Sequence, residues 1–456
     1  MKLLFLGLGL LKAIAAEYTQ VHIALAGDDG RGNSNGMAVS WQTEEDTQAT
    51  VVKYGLSSDD MPMVETGTSS TYYSTWDHHT VLADLAPDTK YFYAVGDGET
   101  FSETFQFTTS PEGGESVTFA VWGDLGLVNG DSTREYLEEN KEDIDLIFHL
   151  GDVGYADDSF LHLGCLFRFC YEEKFNEYME SMEPIVSEIP YHVMPGNHEA
   201  DCHDPACLLS AERRDKLSNF TAYNSRFRMP SEESGGVMNM WHSFNYGPVH
   251  FVALDLETGF PGAAEEKRYV LKCGGFGDQL TWLREDLEEA VKHREERPWI
   301  VLGGHHPMYN GGMVDPKMAA AIEPLLAEFG VDVFFTGHVH SYERDWPVFN
   351  STTVVKSYSN PGIPTHVMIG GPGNDEMRDA QRRMEELLEE HPGLDPSRVS
   401  TQAWYDSLVE VNSDMIAVTD FTHFGIGIVH ADMESFKMQY VQTTSGEVFD
   451  EFTLTK

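Results

Sequence analysis

A β-sandwich followed by an α/β domain is the architecture this chain predicts, and three observations carry that prediction. Residues 17 to 110 hold short runs of alternating hydrophobicity, broken about every ten residues by Gly, Asn and Asp clusters. From residue 116 to 456 the pattern changes to short apolar strands alternating with helical periods. Between the two, Pro111-Glu112-Gly113-Gly114-Glu115 is a polar, glycine-containing break suited to a linker. At 456 residues the chain also exceeds what one typical core organises.

Taken in order, residues 1 to 16 read MKLLFLGLGLLKAIAA, with Lys2 ahead of an apolar stretch from Leu3 to Leu11 and an Ala13-Ile14-Ala15 cleavage signature. That is the pattern of a secretory signal peptide, and it falls short of the ~20 apolar residues a membrane span needs. The alternating runs Val21–Leu25, Met37–Trp41 and Val51–Tyr54 follow. A turn from Leu85 feeds the aromatic strand Tyr91-Phe92-Tyr93, and Thr104–Thr108 closes the set. Such strands and turns suggest a sandwich of immunoglobulin or fibronectin type III kind. It carries no catalytic motif, and His78 and His79 read as surface residues.

In the second domain, strands are expected at Val117–Trp122, Asp145–Leu150, Tyr191–Met194, Val249–Leu254, Trp299–Leu302, Val331–Phe335 and Thr365–Ile369. Ser132-Thr133-Arg134-Glu135 has the form of a capping box opening a helix. Further helices are expected at Tyr171–Met182, Gln279–Lys292 and Lys317–Glu328, the second with Leu280, Leu283, Leu287 and Val291 on one face. The segment 375–410, centred on Met384-Glu385-Glu386-Leu387-Leu388, reads as a charged helical insertion on the surface. Phe424–Tyr440 and Val448–Thr453 return to alternating strands that close a second layer.

With 75 acidic against 30 basic residues, the net charge of −45 argues against nucleic acid or an anionic membrane as partner. Any anionic substrate must then be held by local cations. The five cysteines, Cys165, Cys170, Cys202, Cys207 and Cys273, make two C-x4-C pairs with one left over. Two disulfides are expected in an oxidising compartment, with their pairing open. Asn219-Phe220-Thr221 and Asn350-Ser351-Thr352 are N-glycan acceptors that fit export.

The chemistry gathers where strands end. Asp124 follows the first strand, Asp152 and Tyr155 the second, Asn197 and His198 the third, His305 and His306 the fifth, and His338 and His340 the sixth. Ligands in open α/β sheets bind outside the carboxyl ends of strands. Seven of these residues, Asp124, Asp152, Tyr155, Asn197, His305, His338 and His340, supply what two neighbouring cations need: a carboxylate to share, hard oxygens for one ion and imidazoles for the other. His149, His192, His250 and His366 read as core or edge residues.

GDLG at 123–126, GDVGYAD at 151–157, GNHE at 196–199, GGHHP at 303–307 and GHVHSYER at 337–344 resemble, in order, the five blocks of the purple acid phosphatases. The resemblance extends to the sandwich and to GGPGNDE at 370–376. It implies a fibronectin type III-like sandwich followed by a dinuclear metallophosphoesterase domain, itself a two-sheet β sandwich flanked by helices. It further implies a secreted acid phosphatase acting on small phosphate monoesters. Fe(III) would be held by Asp124, Tyr155 and His340, and a divalent iron, zinc or manganese by Asn197, His305 and His338, with Asp152 bridging. A hydroxide formed at the metals would attack phosphorus, and His198 would protonate the leaving oxygen.

In the wider dinuclear phosphoesterase group the first motif reads Asp-x-His, whereas here Gly126 takes the last place and Tyr155 fills the gap. A departure lies after GGHHP, where plant members carry a histidine pair and Tyr309-Asn310-Gly311-Gly312-Met313 offers none. His306 is the candidate substitute, a solvent-facing role being its alternative. The rival readings are a phosphodiesterase or nucleotide pyrophosphatase of the same fold and a non-catalytic metal-binding glycoprotein.

Overall fold

The computed structural model describes residues 17–28, 34–113, 116–161, 164–165, 168–202, 204–263, 273–374 and 414–456. The expected signal peptide, 1–16, and the expected helical insertion, 375–410, lie outside them. No helix of the described residues is long and apolar enough to cross a bilayer.

The first domain is a sandwich of two four-stranded antiparallel sheets. One runs in the order Thr19–Ala26, Gly36–Thr43, Trp76–Leu82, Thr68–Ser70, the other Met63–Thr66, Val51–Gly55, Lys90–Gly96, Phe105–Thr108. Side chains such as Val39, Trp41, Tyr93 and Phe107 interdigitate between the sheets as alternation dictates. Trp76–Leu82, WDHHTVL, overturns the surface reading of its histidines. His78 is fully buried, stacks on Trp41 at 5.1 Å, and pairs with the hydroxyls of Thr43 (2.9 Å) and Thr50 (2.8 Å). His79 reaches the other domain, 2.9 Å from the Ser225 carbonyl, with Ser40 Oγ 2.8 Å from its other nitrogen. Burial holds both rings neutral, lowering each to about 4.

Polar groups also fill the seam between the domains. Arg226, 3% exposed, donates to Tyr72 Oη and Gln20 Oε1 of the sandwich (2.9 Å each) and to Glu172 Oε2 (3.2 Å) and Asn176 Oδ1 (2.8 Å) of the second domain. Asp77 lies beside it, 2% exposed, accepting from Gln42 Nε2 at 3.1 Å.

The second domain stacks two mixed sheets. The first runs Tyr191–Val193, Leu146–His149, Ser116–Trp122, Gly425–Asp432, Ser435–Gln442, Val448–Thr455. The second runs His242–Tyr246, Val249–Ala253, Trp299–Gly303, Val333–Thr336, Thr365–Ile369, Tyr342–Asp345, Ile416–Asp420. Phe119 and Phe148 of the first meet Phe251 of the second at 5.0 and 5.5 Å between ring centres. Strands 116–122, 146–149 and 191–193 are parallel, as are 249–253, 299–303, 333–336 and 365–369. Each parallel group thus sends its carboxyl ends the same way, and the corners that follow them form one site.

Helices Tyr171–Val186, Gln279–Ala290 and Pro316–Glu328 lie close to the expected bounds, the last two opened by Asp278 and Asp315 side-chain caps. The capping box at Ser132 does not form. Helix Asp131–Glu139 starts earlier, from Gly130, so Ser132 sits inside the first turn with its hydroxyl toward Thr443. Disulfides join Cys165 to Cys170 and Cys202 to Cys207, and Cys273 is buried outside both. His149, His192, His250 and His366 are all buried, as expected.

Candidate metal centre

The two sheets converge at a pair of glycines. A Cβ on Gly337 would stand 2.5 Å from Asp124 Oδ2 and 3.3 Å from the Gly123 Cα, so only glycine lets the corner after one sheet touch the corner after the other. Through that contact the His338 backbone N–H donates to Asp124 Oδ2 at 2.8 Å. Four of the seven proposed ligands, Asp124, Asp152, Tyr155 and His338, hold left-handed backbone with φ of 64°, 52°, 51° and 69°. Non-glycine residues adopt that region at a cost and collect there at functional sites.

All seven converge. On one side the Tyr155 hydroxyl donates to Asp124 Oδ1 at 3.2 Å and lies 3.1 Å from His340 Nε2, which is itself 3.4 Å from Asp124 Oδ1. On the other, His305 Nε2 is 2.9 Å from Asp152 Oδ2 and 3.2 Å from Asn197 Oδ1. The candidate ligand atoms of Asp152, His305 and His338 all lie within 4.8 Å of one another. His305 Nδ1 is 2.8 Å from the Leu150 carbonyl, which fixes the tautomer and leaves Nε2 facing the carboxylates. Position 126 explains the tyrosine: a Cβ there would meet the Tyr155 ring at 3.0 Å, so the ring occupies the room a side chain would take.

The site draws positive charge. Burial opposes a charged His305, yet Asp152 and Asp124 outweigh it and push the imidazole up to about 10. Asp152 is affected by burial too, but the His305 and His198 charges prevail and hold it below the usual carboxylate range. Two buried carboxylates, a phenol, an amide oxygen and three imidazoles in one pocket are a donor set for cations rather than for an apolar ligand. The residues fit a metal pair.

His198 follows Asn197 on the short helix Asn197–Ala200 and leans the other way. Its Nδ1 lies 2.9 Å from Asp157 Oδ1, its Nε2 is 3.8 Å from Asp152 Oδ2, and its ring packs on Tyr155 at 4.3 Å. Burial disfavours its charged form, but Asp157 and Asp152 raise it well above the usual histidine range. Asp157 stands in the GDVGYAD block and sequence reasoning gave it no role; its signal was there, two residues beyond Tyr155. Glu199 was likewise quoted without a role. Its carboxylate accepts from the backbone N–H groups of Asp152 (2.9 Å), Val153 (2.8 Å) and Gly196 (2.9 Å), tying the second and third corners together.

His306 is not solvent-facing. It is 7% exposed, its ring centre 3.8 Å from that of His338 and its Nε2 3.0 Å from Oε2 of the fully buried Glu257. No motif surrounds Glu257, so sequence alone could not have found it.

Comparison with known proteins accords with this geometry. Residues 18–109 match the purple acid phosphatase N-terminal domain and residues 117–342 the calcineurin-like phosphoesterase family. The chain is 34% identical to purple acid phosphatase 18 of Arabidopsis thaliana, over 78% of this chain and 71% of that protein. It is 32% identical to acid phosphatase type 7 of Danio rerio, over 80% and 81% respectively. Acid phosphatase A of Cryphonectria parasitica is 29% identical over 92% of this chain and 90% of its own. The fold resembles that of purple acid phosphatase PPD1 from yellow lupin seeds, with a TM-score of 0.73 at 20% identity over 97% of this chain and 75% of that one. With both domains matched in order and relatives above 30% identity along most of their length, the chain is a phosphatase and belongs to the purple acid phosphatase family.

Proposed function

We propose that the chain is a secreted acid phosphatase that hydrolyses small phosphate monoesters at a dinuclear Fe(III)–M(II) centre. Asp124, Tyr155 and His340 would hold Fe(III), Asn197, His305 and His338 a divalent iron, zinc or manganese, and Asp152 both. The observation that carries the reading is the Tyr155 hydroxyl set between Asp124 Oδ1 and His340 Nε2 in the room left by Gly126. Phenolate and carboxylate suit a ferric ion, and an amide oxygen with two imidazoles suits a borderline divalent one. Once bound, the pair supplies Lewis acidity and a nucleophile at acidic pH.

The chain's own residues do the rest. Asp152, with Oδ1 accepting the His198 N–H at 2.9 Å and Oδ2 turned to His305, is anchored to present its carboxylate between the two donor sets. His198, oriented through Nδ1 by Asp157, keeps Nε2 toward the site, where an imidazolium proton can pass to the leaving alkoxide. His306, held against Glu257, lines the substrate side and orients the ester. Two disulfides support an oxidising destination. Asn350 is exposed and suits a glycan, and Asn219 is half-buried with its oxygen accepting from the Gly274 N–H.

Purification tests the reading directly. The protein should carry iron and absorb broadly in the visible through phenolate-to-Fe(III) charge transfer, and Tyr155→Phe should bleach it. Iron-loaded wild-type protein without colour would refute the Tyr155 assignment. Faster turnover of a diester than of a monoester would move the enzyme to the phosphodiesterase reading.

A further inference from the structure

Beside the centre, on the His306 and His338 side, opens a cavity of about 340 Å³. Apolar Leu256, Met313, Val314 and Met318 share its lining with polar Asn310 and Asp315, and the His306 and His338 rings stand at the end toward the proposed metal ligands. The wall is made by a small ribbon, Tyr309–Asn310 against Met313–Val314, turned by Gly311 and Gly312, both at positive φ (61° and 72°). The ribbon is anchored rather than loose: the Gly311 N–H donates to buried Glu343 at 2.8 Å, and the Asp315 N–H donates to the Met308 carbonyl at 2.9 Å. Asp315, the acidic group on the wall, is engaged as a cap, accepting from the N–H groups of Lys317 and Met318. No lysine or arginine is among the lining residues.

A preformed slot with an apolar wall, meeting the reaction centre at one end, fits an organic group attached to phosphate, and the methionines let it accept varied shapes. With no lysine or arginine on them and the Asp315 carboxylate present, these walls offer a further phosphate no ion pair away from the metal end. We propose that this cavity receives the alcohol portion of the ester and selects uncharged aryl or alkyl groups over groups bearing further phosphates. The assignment rests on the phosphatase reading above and names the substrate class for it.

The test is a series of n-alkyl phosphates from methyl to hexyl, whose leaving alcohols differ little in basicity, beside ATP and pyrophosphate, with the matching n-alkylphosphonates as inhibitors. On the purified holoenzyme, kcat/KM should rise and the inhibition constant fall by about two- to fourfold per methylene until the slot is filled. Hexyl phosphate should outrun ATP and pyrophosphate. Met313→Glu, at the 42% exposed mouth, and Val314→Phe, within it, should each flatten the dependence on chain length. A role confined to folding would instead lower all esters by one factor. Turnover with no dependence on chain length, or with ATP preferred, overturns the cavity assignment and leaves the phosphatase reading standing. Absence of turnover with every ester overturns both.

Discussion

Asp77 makes the domain seam sensitive to pH. Replacing it with asparagine keeps its shape and its bond to Gln42 while removing the charge. The carboxylate is 2% exposed, and its second oxygen has no hydrogen-bond partner among the described residues. Burial therefore raises it from an ordinary 3.8 to about 7, with the Arg226 charge only partly opposing. Between those values the folded protein holds more protons than the unfolded chain. The stability Asp77 contributes is thus full below 3.8 and lost as the pH rises through about 7. That interval corresponds to at most ~4 kcal/mol. Urea unfolding at pH 4 and pH 8 would measure it. Wild type and Asp77→Asn should match within about 1 kcal/mol at pH 4, and the variant should be the more stable by up to ~4 kcal/mol at pH 8. A difference of the same size at both pH values would mean that Asp77 is charged throughout, and the reasoning would fail.

Other substitutions separate the roles at the centre. If Asp152 bridges, Asp152→Asn lowers occupancy of both metals and Asn197→Ala chiefly that of the divalent one; equal stoichiometry in the two, by metal analysis, argues against a bridge. His198→Ala should keep the metals and the colour but lower kcat by roughly 10²–10⁴-fold, less for nitrophenyl than for alkyl esters. Equal losses for good and poor leaving groups would reject proton donation. Asp157→Asn should reproduce part of that loss, about 10–100-fold, and move the alkaline limb of the pH–rate profile to lower pH because His198 loses the charge that raises it. An unmoved profile would reduce Asp157 to packing.

Much of this was legible because the strands end in short corners whose side chains are polar against an apolar background. Asp124, Asp152, Asn197, His305 and His338 stand out for that reason alone, and Tyr155 through its spacing from Asp152. Histidines inside strands are harder. His78 reads as polar surface in WDHHTVL, and its burial depends on Thr43, Thr50 and Trp41, partners from other strands that no local pattern announces. The same strand, with Met63–Thr66 and Thr68–Ser70, escaped because polar residues on it face the seam and the edge. Glu257 was invisible for a related reason: it comes from a loop with no motif and meets His306 only in the fold. The Ser132 box failed because a capping pattern fixes a helix start only when nothing else does, and Arg134, bonded to the Gly126 and Leu127 carbonyls, holds the preceding corner in place.

The left-handed corners at Asp124, Asp152, Tyr155 and His338 set activity against robustness. Each is a place where glycine or asparagine relieves the backbone, at ~1–2 kcal/mol per residue for the handedness alone. At Asp124 the loss of the carboxylate also removes a charge that burial disfavours, whereas at Asp152 it removes one that His305 and His198 hold ionised. Substitution by asparagine or glycine here, expected to damage the proposed centre, is therefore partly offset by backbone relief. Soluble expression of a variant at these corners therefore says little about whether its chemistry survives.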